Sequence, residues 1–231
     1  ILAAGKGSRM KSVTPKVLHK VGNKSMILHC IDLCKKLRIM DITVVLGQDS
    51  KIIKKELPLD IKIAIQKKQK GTADAVLSAK NLYKNHNGKI LIMYADVPLI
   101  RPQTIKKLIT QSKKELSVIG FYPQNPDGYG RIITHKNNIK KIIEDKAASV
   151  SDKKILLCNS GVISSPTQLL FDLLNNVKKD KINNELLLTD IFLLNYNKDL
   201  KANFVLGEER EMLGVNDRRG LALAEKYFQD D

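Results

Sequence analysis

A chain of 231 residues, 43% hydrophobic and 28% charged, has a globular composition and enough length to bury a core, which excludes disordered and fibrous classes. Its formal net charge of +16 points to an anionic partner: nucleic acid, an acidic membrane surface or a phosphorylated substrate. The excess is carried by 33 Lys against 7 Arg, aromatics are 5% and Trp is absent, whereas nucleic-acid readers use Arg forks and exposed aromatics.

No nucleic-acid partner is therefore expected, and pairs such as Lys35-Lys36 and Lys140-Lys141 read as solvated surface. No run approaches the roughly 18 apolar residues that cross a bilayer, so no membrane insertion is expected. Cys30, Cys34 and Cys158 fit neither a disulfide framework nor a C-x-x-C metal site, and read as reduced thiols of a cytoplasmic protein. The chain starts at Ile1 and not at Met, which leads us to expect residues ahead of it.

In chain order, short β-branched runs alternate with amphipathic stretches. Strands are expected at Ile1 to Ala4, Ile42 to Leu46, Ile61 to Ile65 and Ile90 to Tyr94. Helices fall between them at Ser25 to Leu37, where Ser25 could cap, and at Ala73 to Leu82. Such a β-α-β-α-β order builds a parallel sheet whose ligands bind beyond the carboxyl ends of the strands. A proline-opened helix, Pro102 to Lys114, is followed by strands at Leu116 to Tyr122, Arg131 to Thr134, Ile139 to Ile143 and Ile155 to Ile163. Gly128, Gly130 and Asn137-Asn138 supply the turns. Helices at Pro166 to Leu174 and Leu186 to Tyr196, a strand at Ala202 to Leu206 and a helix from Asp217 complete the chain. The expected fold class is α/β and Rossmann-like: a mostly parallel mixed sheet flanked by helices, with an inserted antiparallel lobe over the pocket. No linker or repeat divides residues 1–231, which read as one domain.

The strongest local signal is Leu2-Ala3-Ala4-Gly5-Lys6-Gly7-Ser8-Arg9-Met10, followed by Pro15-Lys16. A strand running into a glycine-rich loop lets successive backbone N–H groups face an anion, and Arg9 and Lys16 add fixed positive charge. Met10 stands where both a Walker loop and a G-x-G-x-x-G dinucleotide loop need glycine, so neither motif is present. An ordinary turn with solvent-facing lysines remains the alternative. Asp96 ends an apolar strand ahead of Val97-Pro98, and one carboxylate suits Mg²⁺, which takes its other oxygens from water and phosphate. Read from the residues alone, Asp96 equally caps a turn and Asn216 a helix. His19, His29, His86 and His135 are too dispersed for a metal set, and His19 and His29 read as helix-packing residues.

These motifs, with Gln66, Gly71-Thr72, Tyr94-Ala95-Asp96-Val97-Pro98-Leu99, Gly128-Tyr129-Gly130-Arg131, Ile143-Glu144, Asn159-Ser160-Gly161, Leu188-Thr189-Asp190 and Gly214-Val215-Asn216-Asp217-Arg218, resemble the sugar-1-phosphate nucleotidyltransferases. The likeness is strongest to the uridyltransferase domain of the bifunctional N-acetylglucosamine-1-phosphate enzyme. It implies transfer of UMP from UTP to N-acetylglucosamine 1-phosphate, giving UDP-N-acetylglucosamine and pyrophosphate for the cell envelope; a cytidylyl- or thymidylyltransferase is the runner-up. It also implies Mg²⁺ on Asp96 and Asn216, with Arg9, Lys16 and Asp96 as the catalytic groups. Leu2, Ala3, Ala4 and Gly5 would lie along the nucleoside, with Gln66 and Gly71 at the uracil edge. Thr72 would lie near both halves, and Tyr94, Ala95, Gly130, Glu144 and Asn159 would lie at the sugar. By their neighbours alone, Tyr94 and Glu144 read equally as a core edge and a surface charge.

Ala95 replaces the family's usual glycine, so a methyl group is expected to intrude near the sugar. Ser160 stands where Thr is common, and Leu186-Leu187 replace an expected aromatic pair. In the bifunctional enzyme a left-handed β-helix of hexapeptide repeats carries the acetyltransferase and the trimer contacts. No such repeat occurs here, so this is expected to be either an excised domain or a chain that only transfers nucleotides, with a homo-oligomer possible and a trimer expected only where the β-helix domain is present. A non-catalytic nucleotide or nucleic-acid binder is the alternative from another class, distinguished by generic, steeply salt-dependent affinity without Mg²⁺-dependent turnover.

Overall fold

The computed structural model describes residues 1–47, 50–112, 114–180, 182 and 184–230. The chain opens with β1 (Leu2–Ala3), a small hairpin of β2 (Lys20–Val21) and β3 (Lys24–Ser25), and α1 (Met26–Lys36). Then come β4 (Thr43–Leu46), α2 (Ser50–Glu56), β5 (Lys62–Ile65), α3 (Thr72–Leu77) and β6 (Lys89–Ile92). β1, β4 and β5 pair in parallel, with Leu2 opposite Val45 and Val45 opposite Ala64. Backbone bonds from Leu2 N to Met93 O and from Ala95 N to Leu2 O set β6 in parallel on the other side of β1.

The second half holds α4 (Pro102–Gln111), β7 (Leu116–Phe121), β8 (Arg131–His135), β9 (Asn138–Ile143), α5 (Val150–Lys153), β10 (Cys158–Pro166), α6 (Thr167–Leu174), α7 (Asp190–Tyr196), β11 (Ala202–Leu206) and α8 (Arg218–Asp230). β10 runs antiparallel between β6 and β7, and β11 adds in parallel to β7. The resulting order is β5-β4-β1-β6-β10-β7-β11, a mostly parallel mixed sheet in which β10 runs against its neighbours, as the alternating sequence implies. The β8–β9 hairpin branches from the start of β10 as the antiparallel lobe.

Both sheet faces are covered, which is why strand segments such as Val44-Val45-Leu46 are apolar throughout. Val44 and Leu46 pack with Ile27, Ile31 and Ile53 on one face, and Val45 packs with Ala64, Val76 and Phe192 on the other. A third cluster joins Val21 and Met26 to Val215 and Ala224, so that α8 closes over the first hairpin. Arg218 at the head of α8 donates from Nε to Met10 O at 3.3 Å and from Nη2 to Lys11 O at 3.1 Å, which ties the C-terminal segment to the glycine-rich loop.

Several boundaries differ from the sequence expectation. Ser25 precedes α1 but makes no side-chain cap, and its hydroxyl is buried without a partner among the described residues. The β8–β9 turn is Lys136-Asn137 and not Asn137-Asn138: both residues have positive φ, as a two-residue hairpin loop requires, and Asn138 is freed to accept a bond from Ala202 N. The strand expected from Ile155 begins at Cys158, and the helix expected from Leu186 begins at Asp190, because residues 186–188 bond to the loop before α3 and to Thr72 instead. α2 and the β2–β3 hairpin are too short to carry a periodic signal. Lys113, which the expected α4 included, lies outside the described residues.

Cys30, Cys34 and Cys158 are free and buried, and burial is the main cause that pushes all three thiols above their ordinary range. Iodoacetamide at pH 8 is expected to leave the native chain unmodified and to label all three after unfolding in guanidinium, with mass spectrometry as the readout.

Candidate active site

The carboxyl ends of β1, β5 and β6 open onto one cleft of about 570 Å³. β1 delivers Leu2, Ala3, Ala4 and Gly5, β5 delivers Gln66, and β6 leads to Tyr94 and Asp96. Gly71 and Thr72 enter the wall from the head of α3. Parallel strands that end together at one edge of a sheet bring these sequence-distant residues together.

The glycine-rich loop turns at Gly7, whose φ of 61° lies in the left-handed region. A Cβ there would stand 2.5 Å from Lys16 Cβ, so the bare glycine lets the two segments meet. Lys16 Nζ donates to Asp96 Oδ2 and, at 3.3 Å, to Asn216 Oδ1. Arg9 Nη2 reaches the same Asn216 oxygen at 3.0 Å. A backbone bond of 2.8 Å from Val215 N to Asp96 O is what brings Asn216 to Asp96 across 120 residues of chain. The Lys16 and Asp96 side chains are 13% and 16% exposed, so the pair is poorly screened and its charges are felt strongly in the cleft.

The donor chemistry suits Mg²⁺. One anionic and one neutral oxygen, from Asp96 and Asn216, already converge on a single positive centre, the Lys16 ammonium, and an octahedral hard cation would find its remaining ligands in water and phosphate. Among the described residues, no three His, Cys, Asp or Glu gather into a metal cage.

The other wall is a hydrogen-bonding surface. Gln66 Nε2 donates to Gly71 O and to Asp74 Oδ2, each at 2.9 Å. The ring of Tyr94 packs over Gly161, where φ is +80° and a Cβ would collide with it. Burial, followed by the charges of Glu144 and Asp96, pushes the Tyr94 phenol above its ordinary value against a hydrogen bond with Thr72, so it stays neutral. Thr189 Oγ1 donates to Glu144 Oε1 at 2.8 Å, which fixes the carboxylate beside Gly130 and makes it more than a surface charge. Asn159 N bonds to Gly130 O, and Asn159 Oδ1 accepts from Gly161 N. Gly130, Glu144 and Asn159 thus stand together behind Tyr94 and outside the cleft wall proper, while Arg9 and Asn216 stand at its cationic end.

Ala95 departs from expectation. Its side chain is fully buried in the core cluster with Met93 and Val97, so the methyl group points away from the cleft and does not intrude on it. Alternation along an extended segment sends Tyr94 and Asp96 one way and Ala95 the other. Leu186, placed where an aromatic was expected, works through its backbone: its O accepts from Ala73 N and its N donates to Lys70 O. Sequence reasoning missed Gln69, whose Nε2 holds Ala4 O at 2.6 Å, and also Asp74, Thr189 and the cleft-lining Glu185. Thr189 had a signal, since it lies inside the quoted Leu188-Thr189-Asp190 motif; Gln69 sits in a polar loop with none.

A further cavity of about 260 Å³ lies near the amino ends of the strands, lined by Ile1, Thr43, Val45 and Ile90 to Met93. It is more apolar and lacks the convergence of cations, carboxylate and glycine loop, so the cleft at the carboxyl ends is the better candidate for chemistry.

A mixed α/β sheet with a glycine loop, a lysine and a carboxylate meeting at its carboxyl edge defines the nucleotidyltransferase class. The family model described as the MobA-like NTP transferase domain matches residues 1–157, and the chain belongs to that family. Over 233 residues it is 40% identical to the "Bifunctional protein GlmU" of Maricaulis maris, covering 99% of this chain and 52% of that protein. It is 39% identical to the protein of the same name from Buchnera aphidicola subsp. Schizaphis graminum, covering 99% and 50%. The chain thus spans about half the length of the curated relatives it matches. The fold is shared with a UDP-glucose pyrophosphorylase solved with UDP-glucose, at a TM-score of 0.78 and 18% identity over 100% of this chain and 97% of that one. A putative glucose-1-phosphate thymidylyltransferase from Bacillus anthracis follows at 0.75 and 21%, over 100% and 94%. The resemblance read from the motifs is borne out across the chain. No helix of the described residues is long and apolar enough to cross a membrane.

Gly7→Ala tests the geometry of the loop. The added methyl group must push Lys16 aside at a backbone angle that L-residues resist, at a cost on the order of 1–2 kcal/mol. Inorganic pyrophosphate, titrated in a calorimeter, is expected to bind the variant at least about tenfold more weakly than the wild type.

Proposed function

We propose that the chain is a Mg²⁺-dependent sugar-1-phosphate uridyltransferase that makes UDP-N-acetylglucosamine from UTP and N-acetylglucosamine 1-phosphate. Residues 1–231 act as its nucleotidyl-transfer domain in the cytoplasm, and the product feeds cell-envelope synthesis. The reading is supported above all by the meeting of Lys16, Asp96 and Asn216 beside the glycine loop, and by the curated relatives named above.

An oxygen of the sugar phosphate attacks the α-phosphorus of UTP in line, the bond to the β-phosphate oxygen breaks, and pyrophosphate leaves. No side chain need become covalently attached; the protein aligns two polyanions and offsets the charge that develops between them. Backbone N–H groups of residues 5–8 and the Arg9 guanidinium face the departing phosphates. Lys16, released from Asp96 as the triphosphate enters, moves its charge onto the phosphate oxygens. Asp96 and Asn216 would hold Mg²⁺, which supplies further neutralisation of the triphosphate when bound. At the other wall, Gln66 and Gly71 read the base, and Tyr94 and Thr72, with Gly130, Glu144 and Asn159 beyond them, receive the amino sugar, with the neutral Tyr94 phenol as a hydrogen-bond donor.

A panel of nucleoside triphosphates against sugar 1-phosphates, scored by pyrophosphate release with and without Mg²⁺, tests this. UTP with N-acetylglucosamine 1-phosphate is expected to give the highest kcat/KM, and chelation by EDTA to abolish it. Lys16→Ala and Asp96→Ala, checked for folding by circular dichroism, are expected to lose on the order of 100-fold or more. Near-native turnover in either folded variant would remove the assigned roles, and a preference for CTP or dTTP would replace the substrate.

A further inference from the structure

Gln66 is 4% exposed and still contributes to the cleft wall just beyond β5. Its Nε2 donates twice, to Gly71 O and to Asp74 Oδ2, both at 2.9 Å. A peptide carbonyl and a carboxylate are acceptors only, so both amide hydrogens are committed and the carboxamide cannot turn over without setting Oε1 against two oxygens. Oε1 therefore faces away from them and has no hydrogen-bond partner among the described residues. Asp74 is itself held: its Oδ2 also accepts from Lys70 N at 3.4 Å, and its carbonyl accepts from Ser78 N and Ser78 Oγ at the end of α3. Gly71 O is taken as well, by Gln66 and by Ala75 N, which leaves the Gly71 N–H as that residue's remaining polar group.

We infer that Asp74 is a positioning residue that sets the polarity of the base-reading edge, turning Gln66 Oε1 into the cleft so that the site takes a pyrimidine with N3–H and a 4-keto oxygen and rejects cytosine. An acceptor on Gln66 beside a donor on Gly71 matches the N3–H and O4 of uracil or thymine. Cytosine offers the reverse, an acceptor at N3 and a donor at N4, and would place N3 against Oε1. With the Asp74 carboxylate removed, only Gly71 O still opposes rotation of the amide, and a flipped Gln66 presents N–H to cytosine N3. The inference rests on the nucleotidyl-transfer reading of the cleft and adds to it a residue that never touches the substrate.

The experiment compares wild type, Asp74→Ala and Asp74→Asn with UTP, CTP and N3-methyl-UTP, by pyrophosphate release and by nucleotide binding in a calorimeter. Asp74→Ala is expected to narrow the UTP over CTP ratio of kcat/KM at least about tenfold, mainly through KM. Asp74→Asn, which keeps an acceptor oxygen toward Gln66, is expected to restore most of the ratio. N3-methyl-UTP, with no proton for Oε1, is expected to bind wild type no better than CTP. A loss of the same factor with UTP and CTP in Asp74→Ala means that the carboxylate only supports α3, and it overturns the inference. So does an unchanged ratio. Should Asp74→Ala fail to fold, Asp74→Ser, which offers no acceptor at carboxylate reach, decides by the same ratio. A wild type that binds UTP selectively without turnover sinks the catalytic reading alone, since the binding ratios still judge Asp74; binding of neither nucleotide overturns both.

Discussion

The ammonium of Lys16 shared between the Asp96 carboxylate and the Asn216 amide oxygen is the contact on which the cleft depends. It joins the loop after β1, the end of β6 and the segment before α8, which are far apart in the chain and share no local structure. The half-buried charges are compensated only if all three segments arrive together, since removing one partner of such a pair leaves the other unpaired in a poorly solvated place. The backbone bond from Val215 to Asp96 and the two bonds of Arg218 to Met10 and Lys11 hold the arriving segments in place.

From that contact the cleft acquires two unlike ends. One carries Lys16 and Arg9 around the side-chain oxygens of Asp96 and Asn216. The other is a set of neutral or fixed groups: Gln66 locked by Gly71 and Asp74, Tyr94 kept protonated, and Glu144 held by Thr189. The +16 charge of the chain, spread over surface lysines, aids the approach of anions but does not choose among them.

The sequence was most informative where one residue type is demanded by backbone geometry. Gly7 and Gly161 both have positive φ and lie against Lys16 and Tyr94, and both belong to motifs that could be read directly. The mostly parallel sheet followed from the alternation of apolar strands with amphipathic helices, because a strand buried on both faces can hardly be written another way. Less legible were contacts made through the main chain. Leu186 looked like a lost aromatic and proved to be a backbone partner of the loop before α3, and Ala95 looked like an obstruction and proved to point into the core. Asp74 and Gln69 gave no pattern at all, since a side chain that orients another side chain has no spacing rule.

By itself the sequence determined the α/β class, the glycine-rich loop after β1 and the family to which the chain belongs. These rest on local properties, namely hydrophobic period, glycine placement and order of motifs along the chain. Tertiary structure alone decided which side of each segment faces the cleft, that Lys16 lies between Asp96 and Asn216, and which way the Gln66 amide points. Those outcomes depend on strand order and on hydrogen bonds across up to 208 residues, and no local pattern encodes the direction of a side chain whose partners come from elsewhere in the fold.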